Sequence, residues 1–173
     1  MDVSFRLGRV KVGPLMLVLG LMIHVLVPGV FLVGAYGLDV GFGWRLTWPL
    51  WVRLPLGATI LLLSVVLEAL SFPPFIRSGG SPSPFHQTES LIVTGPYRYC
   101  RHPIYAAYFG FILGPGIMLG LRSSFLTAAL WWLCLAVEAR FFEEPSLQRR
   151  FGEQFEAYRR TTPFTIPRFW RRR

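Results

Sequence analysis

Acidic residues are scarce in this chain: nine Asp and Glu against eighteen Lys and Arg in 173 residues, a formal net charge of +9. Charge of either sign is thin as well, at 16%, and there are only two cysteines. Cys100 and Cys134 supply neither a disulfide framework nor a metal-ligand spacing, and no P-loop, dinucleotide glycine pattern or metal-ligand quartet occurs. What remains is apolar. A hydrophobic content of 53% with a mean hydropathy of +0.45 excludes an ordinary soluble fold. A pI near 10.6 would point to nucleic acid in a soluble protein. Here almost every basic residue flanks an apolar run, so membrane topology and anionic headgroups explain the charge, and no nucleic-acid partner is expected.

Arg6, Arg9 and Lys11 precede an apolar run from about Val12 to Tyr36. The core of a signal peptide spans only about 7–15 residues, so this longer run reads as a retained transmembrane helix. His24, within it, reads as an imidazole bonded to a neighbouring helix. Gly37 to Trp48 reads as a connection, with Asp39, Arg45 and the interfacial Trp44 and Trp48. A second run follows from about Leu50 to Phe72. Arg53 near its start can snorkel to the headgroups, whereas Glu68 near its end needs a partner or a polar cavity, which makes it a supporting candidate for the site. Pro73 to Ser90 is too rich in Pro, Gly and Ser for a regular helix; Phe75 and Phe85 imply a loop packed over something.

From Ile104 the chain is apolar to about Leu121 and, after Arg122-Ser123-Ser124, again to Val137, a pattern that predicts a helical hairpin. Gly114-Pro115-Gly116 should kink its first arm. The second arm is short and must draw on Glu138 to Phe142 to cross a bilayer. Three basic residues precede the first run, three lie between the second and third (Arg77, Arg98, Arg101), and nine follow from Arg140 onward, fifteen of eighteen in all. The positive-inside rule then gives four crossings with both termini in the cytoplasm. Pro145 suits the start of a new helix, with Leu147, Phe151, Phe155 and Tyr158 along its apolar face. Such a helix can lie on the bilayer or cap the bundle, and the tail Arg168 to Arg173 can touch anionic lipid or stay disordered. The expected fold is all-α and integral to the membrane. It is one domain over 1–173, with two transmembrane helices in 1–72 and, in 73–173, a loop, the hairpin and a C-terminal amphipathic segment.

The polar stretch Thr94 to Tyr105 stands out between these runs. It packs Tyr97, Tyr99 and Tyr105 with Arg98, Arg101 and His102, and Pro103 opens a helix. The predicted topology sets it level with Arg140, Glu143 and Glu144. Arginines can hold a carboxylate in two-point fashion, glutamates can take an ammonium or ribose hydroxyls, and tyrosine rings can face a purine, so these groups suit a zwitterionic cofactor. They can equally pair with one another and seal the cytoplasmic end of the bundle. Cys100 lies among cations that favour a thiolate.

Thr94-Gly95-Pro96-Tyr97-Arg98-Tyr99, Arg101-His102-Pro103-x-Tyr105, Glu143-Glu144-x-x-Leu147, Phe151-Gly152-Glu153 and Tyr158 together resemble the isoprenylcysteine carboxyl methyltransferase and phospholipid methyltransferase superfamily. Gly79 to Phe85 is similar to the loop ahead of the motif in bacterial members, and the resemblance covers roughly Pro73 to Phe169. It implies a helical membrane enzyme that binds S-adenosyl-L-methionine between the last two membrane helices and the C-terminal segment. Gly95, Tyr97, Arg101, His102, Pro103, Tyr105, Glu143 and Glu144 would line the cofactor site, and Gly114 and Gly116 resemble a Gly-x-Gly element of the phospholipid enzymes. Arg140 would lie near the acceptor, with Glu144 and His102 as its catalytic companions.

The implied chemistry is an in-line methyl displacement without a metal, driven by alignment and exclusion of water. A carboxylate or thiolate acceptor needs no base; an amine or thiol would use His102 or Glu144. Prenylcysteine-like carboxylates, small thiols and lipid amines are the acceptor classes, membrane lipids the surroundings, and a bacterial cytoplasmic membrane with an inward-facing site the setting. A nicotinamide-dependent reductase of the sterol-reductase type and a non-catalytic membrane scaffold are the competing readings.

Overall fold

The computed structural model describes residues 5–7, 10–12, 14–78 and 90–165, with side chains from Val25 onward apart from those of Ile76 and Arg77. The His24 side chain, the Gly79 to Phe85 loop and the tail Arg168 to Arg173 lie outside the described residues.

A short antiparallel pair, β1 (Phe5–Leu7) and β2 (Val10–Val12), joins Phe5 to Val12 across the ladder. Helices α1 (Pro14–Phe42), α2 (Leu50–Arg77), α3 (Pro103–Leu119) and α4 (Ser124–Glu138) follow. A five-residue π turn, Ala139–Glu143, carries α4 without a break into α5 (Glu144–Phe151), and α6 (Glu153–Thr161) comes last. Among the described residues three stretches are long and apolar enough to cross a membrane, Val25–Phe42, Leu50–Phe75 and Ser124–Phe151, while α3 is an apolar helix of 17 residues. The molecule is helical and suited to a bilayer.

Several expectations are corrected. Helix α1 runs on to Phe42, so Asp39 sits on a helix rather than in a connection. Helix α2 continues through Pro73 and Pro74 to Arg77, where the sequence reads as non-helical. Two prolines withdraw only two backbone donors and already hold the helical φ. The turn closes beyond them with Ser78 N donating to Pro74 O at 3.2 Å. Pro145 does sit in the first turn of a helix, α5, but the π turn joins that helix to α4 without a break, Glu144 N donating to Ala139 O. The amphipathic segment is two helices rather than one. Gly152, at φ 52° and ψ −122°, takes a conformation that disfavours any side chain and breaks the path between α5 and α6.

Compact packing divides the described chain into two units. The first takes the strand pair with 67–104 and 137–165, the second 18–66 and 105–136. In the second unit, Ile112, Leu113, Ile117 and Ala128 form a core flanked by Phe31, Ile60 and Trp131. Backbones approach closely there: a Cβ on Gly114 would fall 2.8 Å from Gly57 O, and one on Gly116 would collide with the Ser124 side chain. The Gly-x-Gly pair therefore has a packing role in this helix hairpin.

Asp39 ties that unit together at the ends of its helices. Its Oδ1 accepts from Ser123 N at 3.0 Å and Ser123 Oγ at 2.5 Å, and its Oδ2 from Arg122 N at 2.7 Å. These donors lie at the amino end of α4, where backbone N–H groups lack helical partners and a carboxylate is favoured.

Candidate active site

The polar stretch is shaped from its own residues first. Thr94 is extended and Gly95 takes φ 63°, where a Cβ would also meet Pro74 Cγ at 3.4 Å. Glycine is the residue that enters this left-handed turn without strain. A short 3-10 turn, Gly95–Arg98, buries Tyr97 with its ring edge-on to Phe75 at 5.5 Å. Burial, reinforced by the nearby Glu143 carboxylate, pushes the Tyr97 phenol well above its usual range, so it stays a neutral donor. Phe75, expected on a packed loop, performs its packing from the end of α2, and Glu68 is buried on the same helix in this unit.

Next the C-terminal segment returns to the stretch. Arg101 N donates to Pro163 O at 2.9 Å and His102 N to Phe164 O at 3.0 Å, a two-rung ladder of backbone hydrogen bonds. Tyr158 Oη donates to Tyr97 O at 2.6 Å. The Phe164 ring covers both His102, at 4.7 Å between centroids, and the Arg101 guanidinium, at 5.7 Å.

The charged groups then converge. Arg101 Nε and Nη2 reach Glu144 Oε1 at 2.9 and 2.8 Å, while Nη1 donates to Thr162 O at 2.6 Å and Arg159 O at 3.0 Å. His102 lies between two carboxylates, Nδ1 at 3.4 Å from Glu143 Oε2 and Nε2 at 3.5 Å from Glu144 Oε1. Arg140 Nη1 reaches Glu144 Oε2 at 3.3 Å. Burial works against a charged imidazole, but the hydrogen bonds and charges of Glu143 and Glu144 outweigh it and raise the His102 pKa.

The structure thus brings Arg101, His102, Arg140, Glu143 and Glu144 together, with Gly95, Tyr97 and Pro103 shaping the stretch in the same unit. Tyr105, on the first turn of α3, belongs to the second unit and is half-buried. Burial pushes the Cys100 thiol up to about 11, so the thiolate that the neighbouring cations would favour gives way to a neutral packed thiol. The sequence reading missed the carbonyls of Arg159 and Thr162 and the ladder through Pro163 and Phe164. Backbone partners leave little trace in residue type. A proline directly after the Arg160-Thr161-Thr162 end of an amphipathic segment was the available signal that the chain turns there.

A ligand would meet these groups unequally. Arg101 and Glu144 are 11% and 2% exposed in their side chains and already engage each other. Arg140 is 60% exposed and Glu143 41%, so one guanidinium and one carboxylate face outward within the cluster. A recess of about 550 Å³ lies in the same unit, lined by Thr94, Gly95, Arg98, Tyr158, Thr161 and Thr162 among others. Its volume is in the range of small-molecule sites. An outward cation and anion are the groups that a zwitterionic ligand would meet.

Helices able to cross a bilayer and a buried arginine–histidine–glutamate cluster beside a polar recess define an integral membrane protein of helical type. Its relatives narrow the class. A family model described as phospholipid methyltransferase matches residues 52–154. The chain belongs to the phospholipid methyltransferase family, within the superfamily that includes the isoprenylcysteine methyltransferases. It is similar to the protein-S-isoprenylcysteine O-methyltransferase of Mus musculus, at 32% identity over 124 residues covering 65% of this chain and 41% of that protein. The protein of the same name from Schizosaccharomyces pombe is 36% identical over 83 residues, 44% of this chain and 33% of that one. The nickel-cobalt-cadmium resistance protein NccN of Alcaligenes xylosoxydans xylosoxydans is 37% identical over 84 residues, 47% and 38% of the two chains. The chain spans about two fifths or less of the length of these relatives.

Proposed function

We propose that this protein is an S-adenosylmethionine-dependent membrane methyltransferase acting on a lipophilic or small acceptor. The observation that carries the reading is the unequal cluster: a buried Arg101–Glu144 pair anchors it, while Arg140 and Glu143 offer outward charges. Family membership supports it. Bound S-adenosylmethionine supplies a methyl group on a positively charged sulfur, which an acceptor takes by in-line displacement. Glu143 would hold the ammonium of the amino-acid end and Arg140 a carboxylate, of the cofactor or of the acceptor. Thr94, Gly95 and Tyr158 line a recess fit for the nucleoside. The Phe164 ring and the ladder to 163–164 exclude water from Arg101 and His102.

The raised pKa of His102 bears on the acceptor. The two carboxylates raise the pKa of the imidazole between them and so favour its protonated form, which makes it a weaker general base. The reading therefore favours an acceptor that arrives ionised, a prenylcysteine-like carboxylate before a thiol or lipid amine. Its membrane setting has α3 as the fourth crossing, both ends and the cluster on the cytoplasmic side of a bacterial inner membrane.

Calorimetry on the detergent-purified full chain tests the cofactor. S-adenosylhomocysteine should bind, and Glu143→Gln or Arg140→Ala should weaken it about tenfold, the loss of one charge-assisted contact. Absence of binding to folded protein would sink the proposal, and binding of a reduced nicotinamide instead would select the reductase reading. Methyl transfer from labelled cofactor to a panel of prenylcysteine analogues, small thiols and lipid amines then identifies the acceptor class; an amine preference would overturn the inference drawn from His102.

A further inference from the structure

The second unit holds a recess that the proposed reaction does not use. It measures about 350 Å³ and lies where α1 and α3 end, walled by Leu32, Val33, Val40, Leu119 and Leu121. Trp44 and Arg45 stand at its polar side. Gly120 also lines it, and the Arg53 guanidinium lies directly against Gly120, where φ 75° and the absence of a Cβ leave room for it. Leu46 N donates to Gly120 O at 3.1 Å, which ties the Arg45 loop to the point Arg53 reaches.

These two arginines are short of anions. Asp39 is the acidic group in the wall, and its oxygens already accept from Arg122 N, Ser123 N and Ser123 Oγ. Among the described residues neither Arg45 nor Arg53 forms an ion pair, and the buried Nε of Arg53 has no hydrogen-bond partner. Arg122 stacks over Trp44 at 5.6 Å and adds a third positive charge nearby. A buried guanidinium N–H without an acceptor is unfavourable, and a two-point anion such as a phosphate satisfies it.

Apolar walls that meet one lining cation, Arg45, with a second, Arg53, against the lining Gly120 match one kind of molecule. We propose that this recess holds a single anionic phospholipid, its acyl chain along the Leu32, Val33 and Leu119 wall and its phosphate between Arg45 and Arg53. A choline headgroup would bring a further positive charge beside Arg45 and Arg53, so an anionic headgroup is favoured over a zwitterionic one. The inference stands independently of the methyl-transfer reading, since none of these residues belongs to the cluster around Glu144.

The test uses the full chain in a neutral detergent, with dioleoylphosphatidylglycerol, dioleoylphosphatidylcholine and inorganic phosphate as separate probes. Phosphatidylglycerol should raise the melting temperature and remain bound one to one in native mass spectrometry, while the other two should do neither. The Arg45→Gln/Arg53→Gln double variant should weaken phosphatidylglycerol about thirtyfold, from about 1 kcal/mol per arginine near the surface. Val33→Trp, which fills the recess at a side chain 71% exposed, should block the lipid with the charges intact and decides the matter if the double variant does not fold. Equal stabilisation by phosphatidylcholine, an equal shift from inorganic phosphate alone, or undiminished lipid binding in the folded variants would each overturn the proposal.

Discussion

Asp39 in the second unit and Glu144 in the first are both buried carboxylates, 5% and 2% exposed, yet they are held by opposite means. Asp39 accepts from two backbone N–H groups and a hydroxyl, donors that the fold fixes and that do not titrate. Glu144 is surrounded by Arg101, Arg140 and His102, side chains that carry charge or can take it up. The first arrangement locks two helix ends. The second is a cluster of charged side chains that includes a titratable imidazole, so pH acts on it as it does not on the first. A carboxylate held by backbone belongs to the frame, and one held by cations is what a site for a charged ligand would need.

The sharpest break of this contrast is Glu144→Gln. It leaves Arg101 buried against a neutral group, and removing one partner of a buried pair costs about 3–5 kcal/mol. Chemical unfolding of the purified protein should register that loss; a change within error would mean that the carbonyls of Arg159 and Thr162 hold Arg101 by themselves. Asp39→Ala comes next. It removes a helix-end acceptor, worth about 1–2 kcal/mol, and should lower the melting temperature while leaving S-adenosylhomocysteine binding unchanged. A variant that lost cofactor binding in proportion to stability would erase the distinction between frame and site.

Acidity probes the same contrast more gently. Because the folded pKa of His102 is raised, the stability it contributes is fully present below its ordinary value of about 6.5 and is lost as pH climbs through the folded value. Melting temperature should therefore fall on going from about pH 6 toward alkaline pH, and His102→Gln should flatten that slope; an unchanged slope in the variant would assign the effect elsewhere. Smallest of all is a labelling difference. With its thiol at about 11 and its side chain buried, Cys100 should resist a water-soluble maleimide at neutral pH in the folded protein. Rapid modification of the folded Cys134→Ser variant would show that the stretch around Cys100 opens.

Much of the helical plan was legible because hydrophobic runs and flanking charges act over tens of residues. The hairpin around Arg122-Ser123-Ser124 and the convergence of Arg101 and His102 with Glu143 and Glu144 were readable on those grounds. What was hidden is local and depends on packing. Pro73-Pro74 read as a helix stop, because composition cannot show that Phe75 finds the Tyr97 ring. Asp39 read as a loop residue, since its donors lie more than eighty positions away. The ladder from Arg101 and His102 to Pro163 and Phe164 uses only backbone atoms, which no residue pattern specifies.

The π turn at Ala139–Glu143 has a bearing on how related chains are compared. A helix that closes one bond five residues back holds one residue more than a regular α-helix over the same rise. Everything after it is rotated by about 100° relative to a chain without the insertion, so Arg140 and Glu144 keep their mutual spacing only with all five residues present. A relative that aligns with a single-residue gap here has not shortened a loop. It has turned its glutamate pair to another face of the same rod, and position-by-position identity across that gap would mislead about which carboxylate does which job.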